Sequence, residues 1–154
     1  MFLSIALTVV FIDQLTKFLA VHFLTPYEPV SVLGEVLQFT LAFNSKAAFS
    51  IGPASTWVFT IISSLATLAL LWFGPKFRSR DWLILGGFAL GGVAGNLIDR
   101  LVRSPGFPNG HVVDFIQIPF NFPVFNIADM AISVSAALIA LKVIRGDRIG
   151  GKSV

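Results

Sequence analysis

Residues 82–102, WLILGGFALGGVAGNLIDRLV, decide the fold of this chain. The stretch is apolar over about 20 residues, which is enough for a helix to cross the hydrocarbon layer of a membrane. Within it Gly87, Gly91 and Gly95 recur at every fourth position. Small residues at that spacing share one face of a helix and let a second helix approach closely. The stretch therefore predicts a membrane-spanning helix that packs tightly against a neighbour.

Three further apolar stretches have the same length, at about 2–24, 54–73 and 124–144. The whole chain is 55% hydrophobic and 12% charged, with a mean hydropathy of +0.83, whereas soluble domains carry about 25% charged residues. We expect an α-helical integral membrane protein with four transmembrane helices, folded as a single domain over 1–154. Asp13 and Lys17 interrupt the first span, and no basic segment precedes it, so we expect a retained helix rather than a cleaved leader.

Composition also narrows the classes of partner and cofactor. These 154 residues contain no cysteine, which excludes disulfides, thiol catalysis and cysteine-ligated metals within them. The net charge of +3 is small and scattered, so we expect no nucleic-acid partner. His22 and His111 have no ligand partners at metal-binding spacings, and we predict no metal and no cofactor.

The distribution of Lys and Arg predicts the orientation. The short connection at 74–81 and the tail at 145–154 are both rich in Lys and Arg, a feature of cytoplasmic segments. Both termini should therefore be cytoplasmic, while the long connections at 25–53 and 103–123 face outside.

The two long connections carry strand patterns. Apolar residues at 37, 39, 41 and 43 follow the period-2 alternation of a half-buried strand. Residues 112–118 are a second candidate strand, ended by Pro119 and able to pair with the first. The prediction is a small β-sheet at the outer membrane surface.

Polar residues converge near the outer ends of the spans. At a rise of about 1.5 Å per residue, they fall mainly about 8 to 10 Å below those ends. Residues three or four apart share a helix face, and the sets are Asp13 with Lys17, Asn96 with Asp99 and Arg100, and Asn126 with Asp129. For the charged residues, structural ion pairs and direct substrate contact remain alternatives. For the asparagines, interhelical hydrogen bonding and substrate orientation remain alternatives.

Asp114 and Asp129 differ from the other acidic residues because neither has a cationic residue within four positions. Acidic residues close to lipid are costly and are presumed to be functional. Two such carboxyls near each other can share a proton, so that one acts as a base and the other as an acid. Aspartic-peptidase chemistry, ion or proton translocation, and a structural role all remain open on this ground.

Two functions other than a peptidase are also considered for the same residues. A proton-coupled transporter needs polar groups on both sides of the midplane, but the inner halves of the second and fourth spans offer only Ser, Thr and apolar residues. A non-enzymatic membrane chaperone would leave the isolated pair of aspartates without a purpose.

Five short strings then point to a family. They are DQLTK at 13–17, FNSKAAFS at 43–50, GGVAGNLIDR at 91–100, HVVDFI at 111–116 and FNIADM at 125–130. These strings resemble, in the same order, the motifs of lipoprotein signal peptidases, the type II signal peptidases of bacteria. The resemblance covers nearly the whole chain up to about residue 145.

The resemblance implies an aspartic endopeptidase of the bacterial cytoplasmic membrane that removes signal peptides from prolipoproteins, with lipidated precursors and membrane lipids as partners. We expect it to act as a monomer. Cleavage is N-terminal to a cysteine that carries a diacylglyceryl group. Asp114 and Asp129 become the catalytic pair, and the strand region at 30–43 becomes part of a sheet that cradles the substrate. Further positions match residues that bind substrate or support the site, namely Asp13, Lys17, Asn44, Asn96, Asp99, Arg100 and Asn126.

The chain departs from the family pattern at two places. Lys46 stands where the family usually has Gly, and the stretch at 101–113 is longer than usual. We expect both to affect how the outer segments close over substrate.

Overall fold

The computed structural model describes residues 1–45 and 56–148. Within them, four helices are long and apolar enough to cross a membrane. They are α1 (Phe2–Phe23), α2 (Thr56–Phe73), α3 (Arg80–Val102) and α4 (Ile127–Ile144). The four predicted helices are confirmed, and no helix end among the described residues differs from the prediction by more than three residues. A short 3₁₀ turn, Gly74–Lys76, follows α2.

Helix α3 lies at the centre of the bundle and packs against α1, α2 and α4. Gly87 and Gly91 lie against α1, where Val9 and the carbonyl oxygen of Ala6 occupy the space that a Cβ at Gly91 would need. The predicted close approach of a helix to the glycine face is therefore observed. A second close approach was not predicted. Gly92, outside the predicted glycine face, lies against the backbone of α4 at Ala128.

The described strands form a three-stranded antiparallel sheet in the order β1 (Val30–Leu33), β2 (Leu37–Asn44) and β3 (Val112–Gln117). The predicted pairing of the second connection with the first is confirmed, and Ala42 lies opposite Asp114 in the register. The sequence pattern did not resolve the region from 30 to 43 into two strands.

A buried apolar cluster fixes the sheet to the end of the bundle. Leu41, Val113 and Phe115 pack with Ala20 near the end of α1. Burial of these side chains away from water favours this arrangement. The sheet thereby holds β3 beside the ends of α1, α3 and α4, and Asp114 is brought to that position.

The start of α4 was predicted too early. Hydropathy continues through Pro123, Val124 and Phe125, so the sequence places the helix start at 124, whereas α4 begins at Ile127. The physical reason is a backbone bridge between Phe125 and Ile116, which keeps Phe125 extended. Asn126 then caps the helix instead of lying within it.

Candidate active site

Asp114 on β3 and Asp129 on α4 line the same cavity, which has a volume of about 600 Å³. Asn44, Asn96 and Arg100 line it as well. The remaining wall is largely apolar and consists of Val112, Ile118, Phe122, Pro123, Val124, Phe125, Met130, Ile132, Ser133 and Val134. Two acidic residues that lie 15 positions apart in sequence thus line one cavity.

Asn126 contacts both acidic residues. Its side-chain nitrogen donates to Asp114 Oδ1 at 2.6 Å, and its backbone N–H donates to Asp129 Oδ2 at 3.3 Å. In return its side-chain oxygen accepts from the Asp129 backbone N–H at 2.9 Å. The last two contacts form a capping box, in which a residue before the helix and the third residue within it satisfy each other's N–H groups.

Two more amides complete the hydrogen bonding of the carboxyls. Asn44 Nδ2 donates to Asp114 Oδ2 at 2.9 Å, and Asn96 Nδ2 donates to Asp129 Oδ1 at 2.7 Å. Each of the four carboxyl oxygens therefore has a donor within the described structure. These donors come from β2, α3 and the start of α4, so three elements together orient the pair.

The environment of Asp114 favours its protonated form. Burial, and to a smaller extent the negative charge of Asp129, raises the pKa of Asp114 to about 7, although hydrogen bonds from Asn44 and Asn126 and the charge of Lys17 act in the opposite direction. Removal of a carboxylate from water and a like charge nearby both disfavour ionisation. Asp114 can therefore carry a proton near neutral pH.

Lys17 lies behind the cavity wall and is fully buried. Its ammonium lies 2.9 Å from Asp13 Oδ2, 2.8 Å from Asp99 Oδ2 and 2.9 Å from Asn96 Oδ1. Asp13 Oδ1 in turn accepts from the backbone N–H of Ala128 at 2.9 Å. Of the two alternatives for Asp13 and Lys17, these contacts favour structural ion pairing, because the pair ties α1 to α3 and α4.

Asp99 and Arg100, which are adjacent in sequence, have different surroundings. Asp99 pairs with Lys17 and with Arg103, whose Nε lies 2.6 Å from Asp99 Oδ1, and it accepts from the Val113 backbone N–H at 3.2 Å. Arg100 instead lines the cavity. Consecutive residues on a helix point about 100° apart, so one side chain faces inward and the other faces the cavity.

Arg100 is held at the cavity by its own helix and by α2. Its Nη1 donates to the Asn96 carbonyl oxygen at 3.3 Å, and its guanidinium lies 6.0 Å from the centre of the Phe59 ring. A cation at this distance from an aromatic face is attracted to the ring. The arrangement places a positive charge on the wall that also contains both aspartates.

Sequence reasoning missed two residues of the buried network. Gln14 Nε2 donates to the Gly95 carbonyl oxygen at 3.1 Å and to Asp99 Oδ1 at 3.2 Å. Arg103 was assigned only to the connection after the third span. Gln14 could have been found because it is an amide side chain within an apolar span. Arg103 could have been found because it lies four residues after Asp99, on the same helix face. Lys46 lies outside the described residues.

The two histidines lie away from the aspartates' hydrogen bonds. His22 is exposed and stacks on Phe18 with ring centres 6.1 Å apart. Over residues 1–45 and 56–148, no group of three or more His, Cys, Asp or Glu side chains is arranged to hold a metal ion.

Two buried carboxyls on one cavity, at the end of a helical membrane bundle, are what a membrane-embedded aspartic peptidase requires. Residues 5–145 match the protein family described as Signal peptidase (SPase) II. The chain belongs to this signal peptidase II family.

Relatives and solved structures agree with the family match. The chain is 46% identical to the lipoprotein signal peptidase of Leifsonia xyli subsp. xyli, over 96% of this chain and 68% of that protein. It is 44% identical to the lipoprotein signal peptidase of Mycolicibacterium smegmatis, over 89% of this chain and 58% of that protein. A bacterial membrane enzyme solved by the in meso method at 2.3 Å resolution superposes with a TM-score of 0.84 at 27% identity, covering 99% and 93% of the two chains.

Proposed function

We propose that this chain is an aspartic endopeptidase that removes signal peptides from diacylglyceryl-modified prolipoproteins, with Asp114 and Asp129 as the catalytic pair. The observation that carries the proposal is the shared cavity, since both residues line it. The family membership and the lipoprotein signal peptidases among the relatives support the same reaction and substrate class.

The proposed reaction is direct attack by water on the peptide carbonyl. One ionised aspartate removes a proton from a water molecule, and the other, protonated, donates its proton to the carbonyl oxygen as the new C–O bond forms. The tetrahedral intermediate then collapses. The C–N bond breaks as the aspartate that took the proton from water gives it to the departing nitrogen, and a hydroxyl of the intermediate returns its proton to the other aspartate. A carboxylic acid and a free amine result, and both aspartates regain their starting forms.

We assign the initial acid to Asp114 and the initial base to Asp129. The raised pKa of Asp114, caused first by burial and then by the charge of Asp129, supports this assignment. Asn96 and the backbone N–H of Asn126 both donate to Asp129 and orient its carboxyl group. Asn126 donates to both members and keeps them in register.

The supporting residues divide into two groups. Asn44, Asn96 and Arg100 line the cavity and are proposed to contact or orient the substrate. Asp13, Lys17 and Asp99 are completely buried and are proposed to position the site through Asn96 and Ala128.

The apolar wall fits a substrate that arrives through the membrane. Met130, Ile132 and Val134 extend the cavity along α4, and a diacylated cysteine or an apolar signal helix can pack there by van der Waals contact. A transport path has less support, because the α4 residues that line the cavity end at Val134.

We propose that both termini are cytoplasmic and that the sheet and cavity face the outside. The connections 24–55 and 103–126 must lie on one side if all four helices span, and Lys and Arg accumulate on the other side. We further propose a monomer, since a single chain supplies both aspartates and the amide groups that hydrogen-bond to them.

The topology is tested with single cysteines in a chain that has none. Gly110 is unsuitable, because a Cβ there would lie 2.5 Å from the Asp99 carbonyl oxygen. Ser104→Cys, at an exposed position, should react with an impermeant thiol reagent in intact cells, whereas Pro75→Cys should react only in opened cells. The opposite labelling pattern would reverse the orientation.

The substrate class is tested with purified protein and two precursors of identical sequence, one diacylated at its cysteine and one not. We expect cleavage of the diacylated precursor alone, immediately before the modified cysteine. Equal cleavage of both, or of the unmodified precursor alone, would reject the proposed substrate.

A further inference from the structure

The connection between β3 and α4 is a closed aromatic loop. Its base is a pair of backbone hydrogen bonds, from Ile116 N–H to the Phe125 carbonyl at 2.8 Å and from Phe125 N–H to the Ile116 carbonyl at 3.0 Å. The residues between them are here called the 117–124 loop, with the sequence QIPFNFPV. Because α4 begins at Ile127, the base of this loop lies at the end of a predicted span.

The tip of the 117–124 loop exposes aromatic surface. Phe120 is 99% exposed and Phe122 is 53% exposed. Residues 115–128 contain no charged side chain. Phe120 and Asn121 both have positive φ, at 69° and 54°, a conformation that bulky residues rarely adopt. A phenyl ring held outward in this way is unfavourable in water and is typical of a surface that meets another apolar phase.

The same loop forms part of the cavity wall. Phe122, Pro123 and Val124 line the cavity, and the Phe122 ring contacts the Phe125 ring edge-to-face with centres 5.7 Å apart. The loop therefore has a cavity-facing side and an outward tip. The base of the loop at Phe125 also directly precedes the Asn126 cap of α4, so the loop lies at the end of a helix long and apolar enough to span a membrane.

We propose that the 117–124 loop is a membrane anchor, with the Phe120 ring inserted among the lipids of the leaflet adjoining the active site. Phe and Trp side chains bury favourably at the boundary between lipid headgroups and acyl chains, and the position of the loop at the end of the α4 span selects lipid as the occupant. The anchored loop holds the rim of the cavity at the membrane surface. This last role rests on the proposed function, whereas the insertion of Phe120 does not.

Insertion is tested by fluorescence quenching. Because the chain has no cysteine, Phe120→Cys and, as a matched control on the same side, Glu35→Cys can each carry one environment-sensitive fluorophore. Both proteins are placed in lipid nanodiscs. We expect spin-labelled lipid to quench the label at 120 and aqueous iodide to quench the label at 35. Equal iodide quenching at both positions, without lipid quenching at 120, would overturn the anchor.

The role at the cavity rim is tested by kinetics in the same nanodiscs. Phe120→Ser should raise KM for a lipid-embedded precursor by roughly tenfold, the effect of losing about half the burial of a phenyl ring, with kcat unchanged. Phe120→Trp should keep the KM of the unmodified protein. An unchanged KM in Phe120→Ser would reject the rim role, and failure of the unmodified protein to cleave would reject the proposed function while leaving the quenching result intact.

Discussion

The side-chain nitrogen of Asn126 lies 2.6 Å from Asp114 Oδ1, so the residue that caps α4 is also bonded to the acidic residue of the neighbouring sheet. Its backbone N–H reaches Asp129 at the same time. The cap of α4 and the hydrogen bonds to both carboxyls are thus provided by one residue.

Replacement of Asn126 separates these two roles. Serine is a helix cap comparable to asparagine but has no amide nitrogen to donate to Asp114. Asn126→Ser should therefore keep the cap of α4 but lose the amide donor to Asp114, Asn96 and the Val113 carbonyl. We expect kcat/KM to fall by about tenfold to a hundredfold, the effect of losing about 1–3 kcal/mol of hydrogen bonding at a buried group. Thermal unfolding and steady-state kinetics measure the two effects.

Asn126→Ala is the matched comparison, because it loses the cap as well. It should lose about 1 kcal/mol more stability than Asn126→Ser. Wild-type kinetics in the serine variant would show that the Asn126 amide has no part in the reaction.

Removal of Lys17 should destabilise the protein strongly. Asp13 and Asp99 are both fully buried against its ammonium, and loss of one partner from such a pair costs about 3–5 kcal/mol because a buried charge remains. We expect Lys17→Met to unfold at a much lower temperature in detergent. Addition of Asp13→Asn should recover part of the loss, since it removes one uncompensated carboxylate; a further loss in the double variant would contradict the ion-pair account.

Gly91 should tolerate no side chain. A Cβ there would lie 2.5 Å from Val9 Cβ and 2.8 Å from the Ala6 carbonyl oxygen. Gly91→Ala must push α1 away from α3, which should cost about 1–3 kcal/mol. Phe88→Leu, at an exposed position on the same helix, is the control and should change little. Equal unfolding temperatures for both variants would argue against close α1–α3 contact.

Activity should decline as the pH rises through about 7. Asp114 is the proposed acid, and above its raised pKa it loses the proton that the reaction needs. The folded-state pKa of Asp114 lies above its ordinary value of 3.8, so the folding stability should also fall as the pH rises from about 4 to about 7. The pH profile of kcat/KM reports this group.

Asn44→Ala provides the internal check on the pH profile. The Asn44 hydrogen bond lowers the pKa of Asp114, so its loss should move the alkaline limb of the profile to higher pH. A limb that stays in place, or moves to lower pH, would indicate that another group controls the profile.

Much of the fold could be predicted because lipid imposes simple rules on sequence. Long apolar stretches predicted the four spans, and period-2 alternation predicted paired strands. The start of α4 could not be predicted from hydropathy, since Pro123 to Phe125 are as apolar as the helix itself and a non-local bridge to Ile116 ends the extended segment.

The residues of the candidate site were predicted from the sequence, but the contacts between them were not. Spacing placed Asn96, Asp99 and Arg100 on similar faces, yet only tertiary packing determines that Asp99 turns to Lys17 and Arg103 while Arg100 turns to the cavity. The contact of Asn126 with Asp114 joins a helix cap to a strand, and such contacts leave no periodic signal in sequence.

The most direct measurement is cleavage of a diacylated precursor by purified wild type, Asp114→Asn and Asp129→Asn, with thermal unfolding to verify that each variant is folded. Asparagine keeps the size of the side chain but can neither accept nor release the catalytic proton. We predict cleavage by the wild type and none above background by either folded variant. Wild-type rates in either variant would contradict the two-aspartate mechanism.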